Sequence, residues 1–234
     1  MTHRRVGSRW ALASVIAVGL TGLIGVSGTA HAGGGDFVFH KLYREDAFAE
    51  FVVHHGDCAL ERTVIQVTFH QDFYTEDPHV PGPRTSLFGL GISEFDCNDQ
   101  FVANFSSPGG SGPFDIEPGL SSAKVHTTMQ ACQDFPSAGP CFDVDIRAYF
   151  KGVGDIDENQ THNVVNEPDC KIDELIITKT REARVWAKFA FTEPGGQPTV
   201  YEVSTANLSP NGASLSSDFE RLFMQGDGFE CTEH

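Results

Sequence analysis

Along much of the chain, apolar and polar residues take turns one at a time. In residues 63–71, Ile65, Val67 and Phe69 fall on one side of an extended backbone, and Gln66, Thr68 and His70 fall on the other. Residues 143–151 repeat the pattern, with Val144, Ile146, Ala148 and Phe150 opposite Asp145, Arg147 and Tyr149. Residues 183–191 place Ala183, Val185, Ala187, Phe189 and Phe191 on one face. A two-residue period marks a strand with one buried face. Weaker stretches at 36–43, 47–54, 86–95, 100–105, 123–130, 174–179 and 199–205 bring the total to about ten strands. Gly, Pro, Asn and Asp clusters separate them, as at 81–83, 108–113 and 194–196. Many short strands so punctuated predict an all-β fold, an antiparallel β-sandwich, with a β-barrel as the alternative. Helical spacing occurs at 217–224, where Phe219, Leu222 and Phe223 predict one or two turns. Trp186 stands on the polar side of its strand, and its size places it beneath a loop or a second layer.

The first 32 residues break this pattern. Arg4, Arg5 and Arg9 precede an apolar run from Ala11 to Val26, and Ala30-His31-Ala32 supplies a small-x-small cleavage site. This is the layout of a secretory signal peptide. It predicts a secreted, extracellular protein whose residues 33–234 form a single β-rich domain. No later run is apolar and long enough for a membrane-spanning helix. The leader removes three of the 16 basic residues and none of the 32 acidic ones, so the net charge moves from −16 to −19. A surface that acidic repels phosphate backbones and anionic lipid, so neither nucleic acid nor a membrane is an expected partner. All 19 phenylalanines lie beyond the leader and can fill a sizeable core.

Six cysteines, Cys58, Cys97, Cys132, Cys141, Cys170 and Cys231, predict a disulfide-stapled fold in an exported chain. Pairing of sequence neighbours gives Cys58–Cys97, Cys132–Cys141 and Cys170–Cys231. The short Gly/Pro segment between Cys132 and Cys141 suits a tight loop; the other two pairings are open among the 15 that six cysteines allow. No CxxC or zinc-like grouping with histidine occurs.

Candidate chemistry is sparse. His54 and His70 lie on adjacent strands, yet a 47–54/63–71 hairpin would set His54 opposite Thr63, far from His70. Cleavage after Ala30 rather than Ala32 would leave His31 at the N-terminus as a copper ligand, with His126 as a second. Asp155, Asp157 and Asn159 alternate like the first half of a calcium loop and are the candidate metal ligands, with calcium as the alternative to no cofactor. Gln160 and Asn166 then replace the glycine and the bidentate glutamate such a loop uses. Asp143 and Asp145 share a strand face at a spacing near that of an inverting glycosidase, but Arg147 and Lys151 on the same face make a charged stripe. There is no G-x-S-x-G elbow, phosphate loop or dinucleotide fingerprint.

Taken in order, several short motifs form a set: Ala47-Phe48-Ala49 before Cys58, Ile65-Gln66-Val67, Asp96-Cys97, Leu120-Ser121-Ser122-Ala123, Val144-Asp145-Ile146, Gly152-Val153-Gly154, the strand with Arg181 and Ala183, and Ala206-Asn207-Leu208. The set resembles a loose group of secreted actinobacterial proteins of unknown function. The resemblance implies a β-rich exported fold and brings no activity or functional residues. The expected function is therefore non-catalytic, an extracellular binding or structural module for an unidentified ligand. The alternative is a secreted hydrolase or metal-dependent enzyme with carboxylates dispersed over loops.

Overall fold

The computed structural model describes residues 36–226, apart from 57, 59, 78, 81, 168, 169 and 194, with the backbone alone described at 36, 37 and 226. The first 35 residues, with His31 among them, and Cys231 lie outside the described residues. All described residues belong to one compact unit.

The strands are β1 (Asp36–His54), β2 (Arg62–Thr75), β3 (Arg84–Phe95), β4 (Phe101–Ser106), β5 (Asp115–Ile116), β6 (Ser122–Phe135), β7 (Cys141–Gly152), β8 (Asp157–Asn166), β9 (Cys170–Thr192), β10 (Pro198–Ser204) and β11 (Leu208–Gly226). Their pairings are antiparallel. Followed through the hydrogen bonds, β1, β2, β3, β4, β6, β7, β9 and β11 lead back to β1, so the sheet closes into a ring. The long strand β9 closes it by changing partners midway. Its first half, from Cys170 to Glu182, lies between β8 and β11. Its second half, from Ala183 to Thr192, lies between β7 and β10.

The alternation read from the sequence decides what the ring encloses. Ile65, Val67 and Phe69 of β2, Val144, Ile146, Ala148 and Phe150 of β7, and Val185, Ala187 and Phe189 of β9 are all buried. Opposite walls meet through phenylalanines, as the layers of a sandwich do: Phe69 lies 6.2 Å from Phe150 and Phe51 lies 5.9 Å from Phe189, both edge to face. Such pairs contribute about 0.5–1.5 kcal/mol each beyond the area they bury. The Gly/Pro stretch at 108–113 folds along β3, where Phe88 and Gly110 exchange backbone hydrogen bonds, and it delivers Phe114 onto Phe69 and Phe88. At the turn after β7, a Cβ on Gly152 would come within 2.1 Å of the Leu120 carbonyl oxygen, so only glycine fits there.

The all-β antiparallel class expected from the alternation is the class found. Three local expectations change. Residues 217–224 belong to β11, not to a helix: Phe219 and Phe223 lie on one face and Leu222 on the other, and β1 and β9 take up the backbone on both edges. Both faces of this segment are half-buried, so its apolar residues have no reason to alternate. Likewise 36–43 and 47–54 fuse into β1, and 174–179 fuses with 183–191 into β9. Residues 157–166 form β8, paired along their length with β9.

Cys132 and Cys141 form a disulfide across the β6–β7 hairpin. Cys170 is also disulfide-bonded; its expected partner, Cys231, is outside the described residues. Cys58 and Cys97 are not bonded to each other: both thiols are free, and they hydrogen-bond where the 55–61 and 96–100 loops meet. The Cys132–Cys141 bridge spans 9 residues of sequence, and closing a loop of that length stabilises the fold by about 2–3 kcal/mol in the chain-entropy account. Replacing both residues by alanine should lower the free energy of urea unfolding by that amount; an unchanged midpoint and slope would show that the hairpin is held without it.

Candidate functional site

The residues singled out in the sequence do not converge. Asp157 and Asn159 lie on β8 opposite Thr180 and Thr178, exposed and on one face, with Asp155 in the turn before them. Same-face neighbours on a strand are about 6.6–6.8 Å apart, whereas oxygens on one calcium ion sit at about 2.3–2.6 Å from it. The backbone here is extended and does not wrap a central point. His54 faces Arg62, one residue from the expected partner, while His70 faces Asp46 at the other end of the hairpin. His70 is clamped between Asp46 and Asp72, at 2.5 and 2.8 Å, and these bonds raise its pKa. His126 is exposed and bonded to Asp145 at 3.1 Å. Among the described residues no group of three or more His, Cys, Asp or Glu side chains is placed to hold a metal ion.

Two places bring chemistry together. The first is the mouth of the ring beside β5, a cavity of about 440 Å³ lined by Lys41, Tyr43, Glu45, Phe73, Thr75, Gly82, Asp115 and Phe219. Alternation along β1 continues past the core residues Ala49 and Ala47 and so turns Glu45 inward, where it is 6% exposed. Tyr43 Oη donates to its Oε1 at 2.9 Å, and the buried Gln71 donates from Nε2 to its Oε2 at 3.1 Å. Burial raises the Glu45 pKa above the ordinary glutamate value. Burial, and then the Glu45 carboxylate, push Tyr43 up to about 12. Arg84 crosses the rim, 4.9 Å from the Phe73 ring centre and 3.1 Å from Asp115. Both Glu45 oxygens are engaged by neighbouring side chains, and Asp115 is paired. The cluster braces β1 against β2 and leaves no free acid–base pair.

The second place is the outer face of β6, β7, β9 and β10. Two strands carry the same pattern, cation-x-aromatic-x-cation: Arg147, Tyr149, Lys151 on β7 and Arg184, Trp186, Lys188 on β9. The antiparallel register lays one on the other, setting Tyr149 opposite Trp186, Arg147 opposite Lys188 and Lys151 opposite Arg184. The inward partners Ala148, Phe150, Val185 and Ala187 are buried, which forces these six side chains outward. β6 adds Lys124 beside Tyr149, its ammonium 5.7 Å from the ring centre, and His126 beside Arg147. Tyr149 is 39% and Trp186 44% exposed. Trp186 is thus uncovered, contrary to its size-based expectation.

The charges here run against the rest of the protein. Arg147 is paired with Asp145 at 3.3 Å and Lys188 with Glu202 at 2.8 Å. Lys124, Lys151 and Arg184 have no acidic partner among the described residues. Lys151 and Arg184 are like charges directly opposite on neighbouring strands, an arrangement that destabilises a sheet. Asp143 and Asp145, once candidates for a carboxylate pair, stand at the border of this face. Asp145 is taken up by His126 and Arg147. The signal for this surface was in the sequence, in the repeated pattern at 147–151 and 184–188. Joining the two copies requires the register.

Two measurements follow from these geometries. Glu45 binds a proton more readily folded than unfolded, where its pKa is about 4.3, so its buried charge costs stability above the raised value and that cost vanishes as pH falls through it. The stability of Glu45→Gln relative to the parent should therefore rise with pH from about 4.3 through that value; a constant difference in urea midpoints would contradict the burial argument. In a Trp10→Phe background Trp186 is the sole indole. Relative to each ion's quenching of free N-acetyltryptophanamide, iodide should quench it better than caesium does, despite a net charge of −16, and Lys151→Glu with Arg184→Glu should reverse that order. Better quenching by caesium in the parent would remove the local positive field. The chain matches no protein-family model and no curated protein.

Proposed function

We propose that this protein is an exported, non-catalytic binding module whose working surface is the outer face of β6, β7, β9 and β10, presented to an anionic partner. The observation that carries the reading is the exposed Tyr149–Trp186 pair framed by Lys124, Lys151 and Arg184, three cations without acidic partners among the described residues. Unneutralised like charges cost stability in the free protein, and five of the 16 basic residues gather on this one face of a chain with 32 acidic ones. An anionic ligand supplies the missing counter-charge, and exposed aromatic rings supply contact area at low entropic cost. The leader-like first 32 residues support export. A hydrolytic reading would need a free carboxylate in a cleft. Among the described residues burial raises the pKa of two carboxyl groups, Glu45 and Glu94; Glu45, which lines the cavity at the mouth of the ring, has both oxygens occupied by Tyr43 and Gln71.

The test is chromatographic. At pH 7 and on the order of 20 mM salt, where screening is weak, the chain should be retained on a carboxymethyl matrix despite its net negative charge. It should elute as salt rises. Lys151→Glu with Arg184→Glu should abolish retention without lowering the melting temperature. A parent protein that flows through unretained would refute this reading of the surface.

A further inference from the structure

The same face specifies more than charge. Resting on the reading of this surface as an anion-binding one, we infer that its ligand is a carboxylated polysaccharide, lying across the strands with a sugar ring on the Tyr149–Trp186 pair.

The grid sets the shape. Rows of side chains along a strand are about 6.6–6.8 Å apart, and neighbouring strands about 4.7–4.9 Å. The middle row runs Lys124, Tyr149, Trp186, Ser204 over four strands. On one side of it lie Lys151 and Arg184; on the other lie His126, Arg147 and Lys188, with Glu202 ending that row on β10 beside Lys188. An aromatic centre with cations at its four corners fits a unit that has an uncharged, C–H-bearing ring and acidic groups at its edge. The ring packs on the aromatic faces, whose quadrupole favours the partial positive charge of C–H bonds, and the carboxylates reach the Lys151 ammonium and the Arg184 guanidinium on one side, while Arg147 and Lys188 on the other are already held by Asp145 and Glu202.

Acidic residues bound the grid along the strands. Beyond the Arg147 row come Asp145 and Asp143 on β7, and beyond Arg184 comes Glu182 on β9. A polyanion laid along the strands would run onto carboxylates at both ends. One laid across them stays over Lys124, the two rings and Ser204. The footprint is four strands wide, so a short oligomer fills it.

Charge density separates this ligand from a nucleic acid. Duplex DNA carries one charge per about 1.7 Å of axis and cannot escape the acidic remainder of the surface, with 32 Asp and Glu against 16 Lys and Arg. A carboxylated glycan separates its charges by whole sugar rings and needs only local cations. Base stacking on Tyr149 and Trp186 would otherwise serve single strands equally well, so the discrimination rests on charge spacing.

The experiment titrates the full chain in the Trp10→Phe background with four probes and reads Trp186 emission. The probes are oligogalacturonate, its methyl ester (the same rings without charge), polyacrylate (charge without rings) and a single-stranded oligothymidylate. Oligogalacturonate should shift the emission saturably. The methyl ester and polyacrylate should each bind at least tenfold more weakly, and oligothymidylate should not bind at low millimolar salt. Tyr149→Ala should weaken oligogalacturonate at least tenfold while leaving polyacrylate within about twofold, a split that a merely destabilising change would not produce. Polyacrylate binding as tightly as oligogalacturonate would overturn the glycan inference and leave the anion-binding surface standing. Tighter binding of oligothymidylate would overturn it in favour of nucleic acid. No response to any anionic probe would overturn both the inference and the reading beneath it.

Discussion

A 23-residue strand has two rows of backbone hydrogen-bonding groups to satisfy, and the whole architecture follows from how β9 does so. On one edge it pairs with β8 and then β7; on the other, with β11 and then β10. Because β7 is held by β6 and β11 by β1, filling both edges of β9 joins the two ends of the sheet. The closed ring protects most of its edges, the feature that makes open sheets prone to association. It also gives every strand in it an inside and an outside, and the alternation of residues becomes a division between a phenylalanine core and a solvent face.

That division was legible wherever one face of a strand is buried and the other wet. β2, β7 and the second half of β9 announce themselves by strict alternation, and their apolar positions are the buried ones. The rest was hidden for a physical reason. The first halves of β1 and β9 and the C-terminal half of β11 extend past the enclosed core, so both of their faces are partly covered. A segment such as Phe219-Glu220-Arg221-Leu222-Phe223 then has no reason to alternate, and its spacing imitates a helix. β8 was hidden for the opposite reason. Its residues are exposed on nearly every position, so Asp157 and Asn159 resembled part of a calcium loop when they belong to an edge strand.

The two sites were legible to different degrees. Alternation with Ala47 and Ala49 puts Glu45 on the inner side of its strand, but the groups that satisfy it are distant in sequence: Gln71 lies 26 residues away and the Ile116 backbone, which also hydrogen-bonds its carboxylate, further still, and only the β1–β2 register and the folding of β5 across the mouth bring them together. By contrast, the outer face is written twice in the chain, as Arg147-x-Tyr149-x-Lys151 and Arg184-x-Trp186-x-Lys188. Each copy by itself is an ordinary exposed strand edge of alternating polarity. Their meaning comes from antiparallel pairing, which inverts one copy relative to the other. Because the pattern is symmetric about its aromatic residue, inversion sets ring beside ring and cation beside cation.

That symmetry bears on how the fold tolerates its own surface. Two like-charged cross-strand pairs on adjacent strands oppose sheet formation by a few tenths of a kcal/mol to about 1 kcal/mol each. The strands that carry them are the ones best anchored from within. Beneath them Ile146, Ala148 and Phe150 of β7 face Val185, Ala187 and Phe189 of β9, all buried. Burial of a phenylalanine or isoleucine contributes about 1.5–3 kcal/mol, several times the repulsion above it. Asp145 and Glu202 neutralise only the Arg147–Lys188 side. The residual repulsion is therefore confined to Lys151 and Arg184, on strands anchored by that buried core. A surface charge cluster on a mobile loop would relax by moving apart; on this wall of the ring it is held in place.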